Sequence, residues 1–396
     1  MLTLIKGGQV YAPEKLGKRD ILIGGKQILA IAEEISAPPG IDTEIVDAKG
    51  KYVVPGYIDN HMHLLGAGGG NGPNSRTHEI DISTLSKAGI TTVVGTLGIN
   101  TVSFGLKHLL LAANALELHG MTTLMYTGGY QFPAVTLMDS VLSDISLIDK
   151  VVGVKIALFD VLSSHPSKDM LRELASKVWL AGRIGDKAGV LNAHLGETKG
   201  NTREFAEMLA YMGLPPSMLV TTHVNRTEEV LQMSIEGGLA GLSMDITALY
   251  TPDYDLPQTI SPAIAFKRLR DAGIPLEKIT ISSDGNAVQP IRNSAGEIVR
   301  FMLTPVNAVA MEIKKAVIRD NIALEEFLPI ATINAAKMLR IDDKKGSLEV
   351  GKDADVLLLD SELEVDTTYA GGKLMLKEKT PVVVGHFEKD YAAISV

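Results

Sequence analysis

Hydrophobic positions along the chain fall into two textures. Residues 1 to about 52 carry short apolar runs, LTLIKGGQVY, DILIGGKQILAIA and the alternating EIVDA, punctuated by Gly7-Gly8 and Gly24-Gly25. This pattern predicts short strands joined by turns. From Tyr52 onward, apolar strand-like runs alternate with longer segments of helical period, as parallel strands linked by crossover helices do. Eight such runs occur: YVVPGYID, ITTVVGTLG, TTLMYTGG, VVGVKIAL, GVLNAHLG, LVTTHVN, GLSMDIT and ITISSDGN. Eight βα units predict a closed (β/α)8 TIM-like barrel, an α/β fold. After Thr304, two helical segments ending in ATINAAKML precede KGSLEVGKDADVLLLD and TTYAGGKLMLKEKTPVVV, which return to strand texture. The expectation is a catalytic barrel over 53–340 and a small β-sandwich built from both chain ends, 1–52 and 341–396. Gly66 to Gly72 (GAGGGNG) form a dense glycine loop directly after the first barrel strand.

Composition narrows the chemistry. The 396 residues are 45% hydrophobic and 21% charged, which excludes a disordered or fibrous chain. Lys plus Arg number 38 against 47 Asp plus Glu, a net charge of -9, so a nucleic-acid partner has no electrostatic footprint. The longest apolar candidate, Leu106 to Leu118, is interrupted by Asn114 and Glu117, and MLTLIKGGQVYAPE lacks the build of a signal peptide. A cytoplasmic protein without a membrane partner is expected. Cysteine is absent, which removes disulfides, thiolate ligands and cysteine nucleophiles together. Any metal must sit on histidines and carboxylates.

In a βα barrel, chemistry gathers at the C-terminal ends of the strands. The first run leads into His61-Met62-His63, whose spacing sends both imidazoles to one side of an extended chain. The fifth run carries His194, the sixth His223, and the eighth ends in Ser282-Ser283-Asp284-Gly285-Asn286. Any one of these histidines alone reads as a packed core residue; four at one rim read as a cation site. His78, His108, His119, His165 and His386 fall in loops, helical stretches or the tail and read as structural or solvated. Lys155 lies mid-strand in VVGVKIALF, where burial disfavours an ammonium. It reads as a Schiff-base amine, as a carbamate whose two oxygens bridge cations, or as a plain ion pair.

Pro55-Gly56-Tyr57-Ile58-Asp59-Asn60-His61-Met62-His63, followed in order by Lys155, His194, His223 and Asp284, resembles the amidohydrolase superfamily of binuclear metal hydrolases. Thr332-Ile333-Asn334-Ala335-Ala336, Lys345-Gly346-Ser347-Leu348 and Gly351-Lys352-Asp353-Ala354-Asp355 resemble its closing segment. Within it the chain is most similar to the isoaspartyl (β-aspartyl) dipeptidases, through Gly72-Pro73, Arg76-Thr77, Thr127-Gly128-Gly129-Tyr130, Gly153-Val154-Lys155, Thr222-His223-Val224-Asn225-Arg226 and Ser282 to Asn286. The resemblance implies two zinc ions, one on His61, His63 and Asp284 and one on His194 and His223, bridged by carboxylated Lys155 and a hydroxide. It implies Asp284 as general base and acid, Tyr130 as oxyanion donor, Arg226 as the partner of a substrate carboxylate, and a homo-oligomer acting on a small-molecule substrate. A non-catalytic barrel is the reading from another class; retention of the whole metal set and Tyr130 argues against it.

The departures bear on substrate. Ungapped counting puts Gly70 where these dipeptidases place a glutamate for the substrate's α-amino group, Ile99 for a threonine, Leu162 for a second arginine and Val288 for a serine. Gly68 and Asn71 in the glycine loop are the nearest candidate substrate contacts, with Asn100, Thr101 and Ser163 as other polar neighbours. The expected reaction is hydrolysis of an amide in a small carboxylate-bearing substrate, with a cyclic amide, imide or N-acyl compound as the alternative. Weak or absent cleavage of β-aspartyl dipeptides is expected.

Overall fold

The computed structural model describes residues 2–251, 256–293 and 295–388; the last part of the segment expected to run to 396 lies outside the described residues. All eight expected runs contribute to one parallel sheet, hydrogen-bonded in chain order: Tyr57–Met62, Ile90–Gly95, Thr122–Gly128, Val151–Leu158, Val190–Leu195, Leu219–Thr222, Ser243–Thr247 and Ile279–Ser282. A parallel bridge between Met62 and Gly285, with the His63 N–H donating to the Gly285 carbonyl at 3.0 Å, brings the last strand to the first and nearly closes the barrel. Helices follow from local pattern: in Lys168–Ile184, Ser167 caps the Met170 N–H, and Leu171, Leu174, Ala175, Val178 and Ala181 form the buried stripe. The helix Ile333–Met338 sets Ala335 and Ala336 against Ile58, Val94, Tyr126, Val152, Val190 and Val220, closing the barrel floor.

Strands from both chain ends form one nine-stranded sheet beside the barrel. Its first strand, Leu2–Tyr11, pairs at Leu2–Lys6 with Thr43–Asp47 and at Gln9–Val10 with Tyr52–Val53. Gly7-Gly8, read as a turn from sequence, is a bulge inside this strand where it changes partner, as strands that turn a sheet corner do. Lys345 bridges the carboxylates of Asp353 and Asp355 at 2.8 and 2.7 Å. Asp355 also accepts the Gly371 N–H, and its carbonyl accepts the Gly56 N–H. This part of the closing segment therefore clasps the sheet to the start of the barrel.

Two features depart from the pattern reading. The run YVVPGYID is two strands, since Tyr52–Pro55 belongs to the outer sheet and only Tyr57–Met62 to the barrel. The break falls at Gly56, where a Cβ would lie 2.1 Å from Thr91 Oγ1. Between the eighth strand and helix Ala308–Ile318, a hairpin of Val288–Arg292 and Ile298–Leu303 stands at the barrel mouth. It packs Ile291 and Met302 on Leu249, Tyr250 and Leu256.

Candidate active site

Strand ends place the candidate chemistry. In Val151–Leu158 the side chains of Val154 and Ile156 join the core beneath the helices, so alternation turns Lys155 into the barrel. Its amine lies 3.0 and 3.2 Å from the ring nitrogens of His61. His63 Nε2 is 3.1 Å and His61 Nε2 3.5 Å from Asp284 Oδ1. The His61 and His223 ring centroids are 5.2 Å apart, and those of His223 and His194 are 4.5 Å apart. Six residues, in or just beyond five strands, thus meet in one buried group. Within it, His61, His63 and Asp284 offer ligand atoms all within 4.8 Å of one another, a set compatible with a metal ion. His63 Nδ1 is buried and has no hydrogen-bond partner among the described residues.

The surroundings fix this group. The Asp59 carboxylate accepts the N–H groups of His61 and Ser283, tying the first strand to the last; burial pushes its pKa up to about 7. Beneath, buried Asp245 accepts from Asn60, Thr222, Thr280 and Ser282. His223 and Asp284 hold left-handed backbone, φ 71° and 52°, a conformation that persists in non-glycine residues only where neighbours enforce it. Two residues on, Asn225 ties the chain after His223 to the seventh strand and its loop, its amide donating to the carbonyls of Thr247, Tyr250 and Ile260 and accepting the Thr247 N–H. Thr247 Oγ1 lies 2.7 Å from His223 Nδ1.

Electrostatics favour neutral ligands. Burial, then the neighbouring Lys155 ammonium, holds His61 well below the usual imidazole range. Burial does the same to His194, aided by Arg226, and to His223. Burial pulls Lys155 down to about 7. Neutral imidazoles keep a lone pair for a cation, and a neutral amine is the form that reacts.

The substrate side is mixed. Tyr130 Oη lies 2.7 Å from His194 Nδ1. Arg226 donates to Tyr250 through Nε at 3.0 Å and again through Nη2, and its Nη1 is 3.4 Å from His194 Nε2. Asp160 Oδ2 lies 2.9 Å from His194 Nε2 and 3.8 Å from Arg226. Asp160, Tyr250, Asp245 and Asn225 are given no role by the sequence. Asp160 alone carries a usable signal, standing just beyond the fourth strand at the same rim. Of the loop candidates, Asn71 is exposed, and Asn100 is spent on its own turn through Ser103. Gly68 lies against Ser75 and Val288, and Leu162 is half-exposed.

Residues 258–375 match the model of the amidohydrolase family. A β-aspartyl dipeptidase from Fervidobacterium islandicum AW-1, solved with β-Asp-Leu, is 32% identical and has a TM-score of 0.88, covering 98% of this chain and 100% of that one. A D-hydantoinase from Thermus sp. is 19% identical with a TM-score of 0.71, covering 96% of each chain, a likeness of fold alone. A dihydroorotase from Staphylococcus aureus strain MRSA252 is 42% identical over 92 residues, 23% of this chain and 20% of its own length. The chain thus spans only about a fifth of the dihydroorotases it matches.

Proposed function

The chain belongs to the amidohydrolase family of hydrolases, and from that premise we propose a binuclear zinc enzyme that hydrolyses an amide bond in a small, carboxylate-bearing substrate. The observation that carries this reading is the buried convergence of His61, His63, Lys155, His194, His223 and Asp284. His61, His63 and Asp284 would hold one ion, His194 and His223 the other, and carboxylated Lys155 both. Two such cations, when bound, lower the pKa of a shared water and polarise the scissile carbonyl. The chain's own groups do the rest. Asp284 takes a proton from the attacking water and delivers it to the leaving amine. Tyr130, whose pKa burial pushes well above the usual phenol range, stays protonated and donates to the developing oxyanion. Arg226, held in place by Tyr250, offers a planar fork to a substrate carboxylate.

Metal analysis with an amide-hydrolysis screen tests this reading. About two divalent metals per chain with measurable hydrolysis is expected; fewer than one after metal-replete expression sinks it. A cyclic amide or imide is the second reading, favoured by the likeness to dihydroorotase. No helix of the described residues is long and apolar enough to cross a membrane; the proposed setting is the cytoplasm, as a homo-oligomer that light scattering would detect.

A further inference from the structure

Two glycines of the loop after the first barrel strand are roofed by aliphatic side chains. A Cβ on Gly70 would lie 2.2 Å from Ile99 Cδ1, and one on Gly68 would lie 2.0 Å from the Ser75 carbonyl oxygen and 2.8 Å from Val288 Cγ2. Gly70 is not among the glycines with positive φ, so its backbone admits a side chain; the room for one is taken by Ile99. This wall borders the reacting centre. A Cβ on Gly98, next to Ile99, would lie 3.2 Å from His63 Cε1. On its other side the same segment abuts the Tyr130 loop, since a Cβ on Gly129 would lie 2.6 Å from Thr101 Cγ2. Val288 stands four residues beyond Asp284, whose carbonyl accepts the Ala287 N–H at 3.3 Å.

The polar side chains nearest this wall supply no carboxylate, and a Cβ on Gly69 would lie 2.6 Å from Asn100 Nδ2. Asn100 is engaged by Ser103, and the Arg76 guanidinium stacks on the Phe104 ring at 4.7 Å. The site's charged groups Arg226 and Asp160 sit with Tyr130 and His194 instead. An ammonium pressed against Ile99 and Val288 would lose water and meet there only aliphatic carbon, a neutral amide and the Arg76 cation, with no carboxylate among them, so burying it there is unfavourable.

We propose that Ile99 and Val288 are specificity-determining residues that select an uncharged, aliphatic group beside the scissile carbonyl. The substrate class is then an N-acyl compound whose acyl chain carries no ammonium. Hydrolysis breaks its C–N bond: the oxygen of water joins the acyl carbon to give a carboxylate, and both protons of that water end on the nitrogen, which leaves as an ammonium. The inference rests on the hydrolase reading above.

Matched pairs differing only in the ammonium test it: β-Asp-Leu against N-succinyl-leucine, and β-Asp-Ala against N-succinyl-alanine. The metal-loaded enzyme should favour the succinyl member at least about tenfold in kcat/KM, the discrimination expected when one buried polar group is left unpaired, and where neither turns over, calorimetric affinities should rank the same way. Equal or better use of the β-aspartyl member overturns this inference while leaving the hydrolase reading intact. Failure of every amide in the wider screen overturns the hydrolase reading instead. Ile99→Thr with Gly70→Glu should swing the ratio about tenfold toward the ammonium-bearing member, and Gly70→Glu alone should swing it less, because Ile99 still fills the space. A ratio unmoved by the double substitution, in protein with native circular dichroism and metal content, removes Ile99 from the assignment.

Discussion

The rim that gathers His61, His63, Lys155, His194, His223 and Asp284 is buried and hangs on strand ends. The wall of Gly68, Gly70, Ile99 and Val288 lies beyond the strands, in loops and a hairpin, and none of its members is fully buried. Strand ends inherit their positions from the packed barrel, so a side chain there is placed to within what the core allows. Loop positions are set by contacts among the loops themselves, which change together without disturbing the core. Gly70 with Ile99 is such a matched pair. One half of the site keeps its chemistry while the other is free to change what it accepts.

The largest expected effect separates the halves most sharply. Lys155→Ala should remove most bound metal and cut turnover by more than about 10³-fold, and short carboxylic acids should partly restore both by supplying bridging oxygens. Borohydride trapping of a substrate adduct on Lys155 would instead assign it Schiff-base chemistry. Tyr130→Phe should cost about 10² to 10³ in kcat with metal content unchanged, as for loss of one oxyanion donor. Arg226→Met should lower kcat/KM about 10 to 10² fold for carboxylate-bearing amides, mainly through KM, and spare uncharged analogues. The smallest effect belongs to the exposed loop after the fourth strand. Leu162, 49% exposed, should tolerate Ala with less than about 0.5 kcal/mol of stability lost and under about threefold change in turnover. A large metal or stability defect in Leu162→Ala would erase the distinction between strand-end rim and loops.

Much is legible along the chain because it is local. The eight runs show as apolar strands because neighbouring side chains alternate faces and the barrel buries both. His61-Met62-His63 announces itself by period-two spacing, and Asp284 by its place at the end of the eighth run. Less visible is anything whose meaning lies in a distant partner. The break at Gly56 depends on Thr91, and the bulge at Gly7-Gly8 on a change of partner strand. The hairpin at the barrel mouth is hidden because its exposed positions, Val299, Phe301 and Leu303, are as apolar as core residues.

By itself the sequence determined that the fold alternates strand and helix around a barrel, and that any cation must rest on imidazoles and carboxylates. Periodicity and residue chemistry are carried by neighbours in the chain, so they survive without coordinates. Only the tertiary structure decided that Asp160 and Tyr130 meet His194, that Tyr250 steadies Arg226, and that Asn225 ties the chain after His223 to Thr247, Tyr250 and Ile260. It alone showed Ile99 and Val288 filling the space over two glycines. Those contacts join segments far apart in the chain, and which side chains share one pocket is fixed by how the barrel brings its loops together.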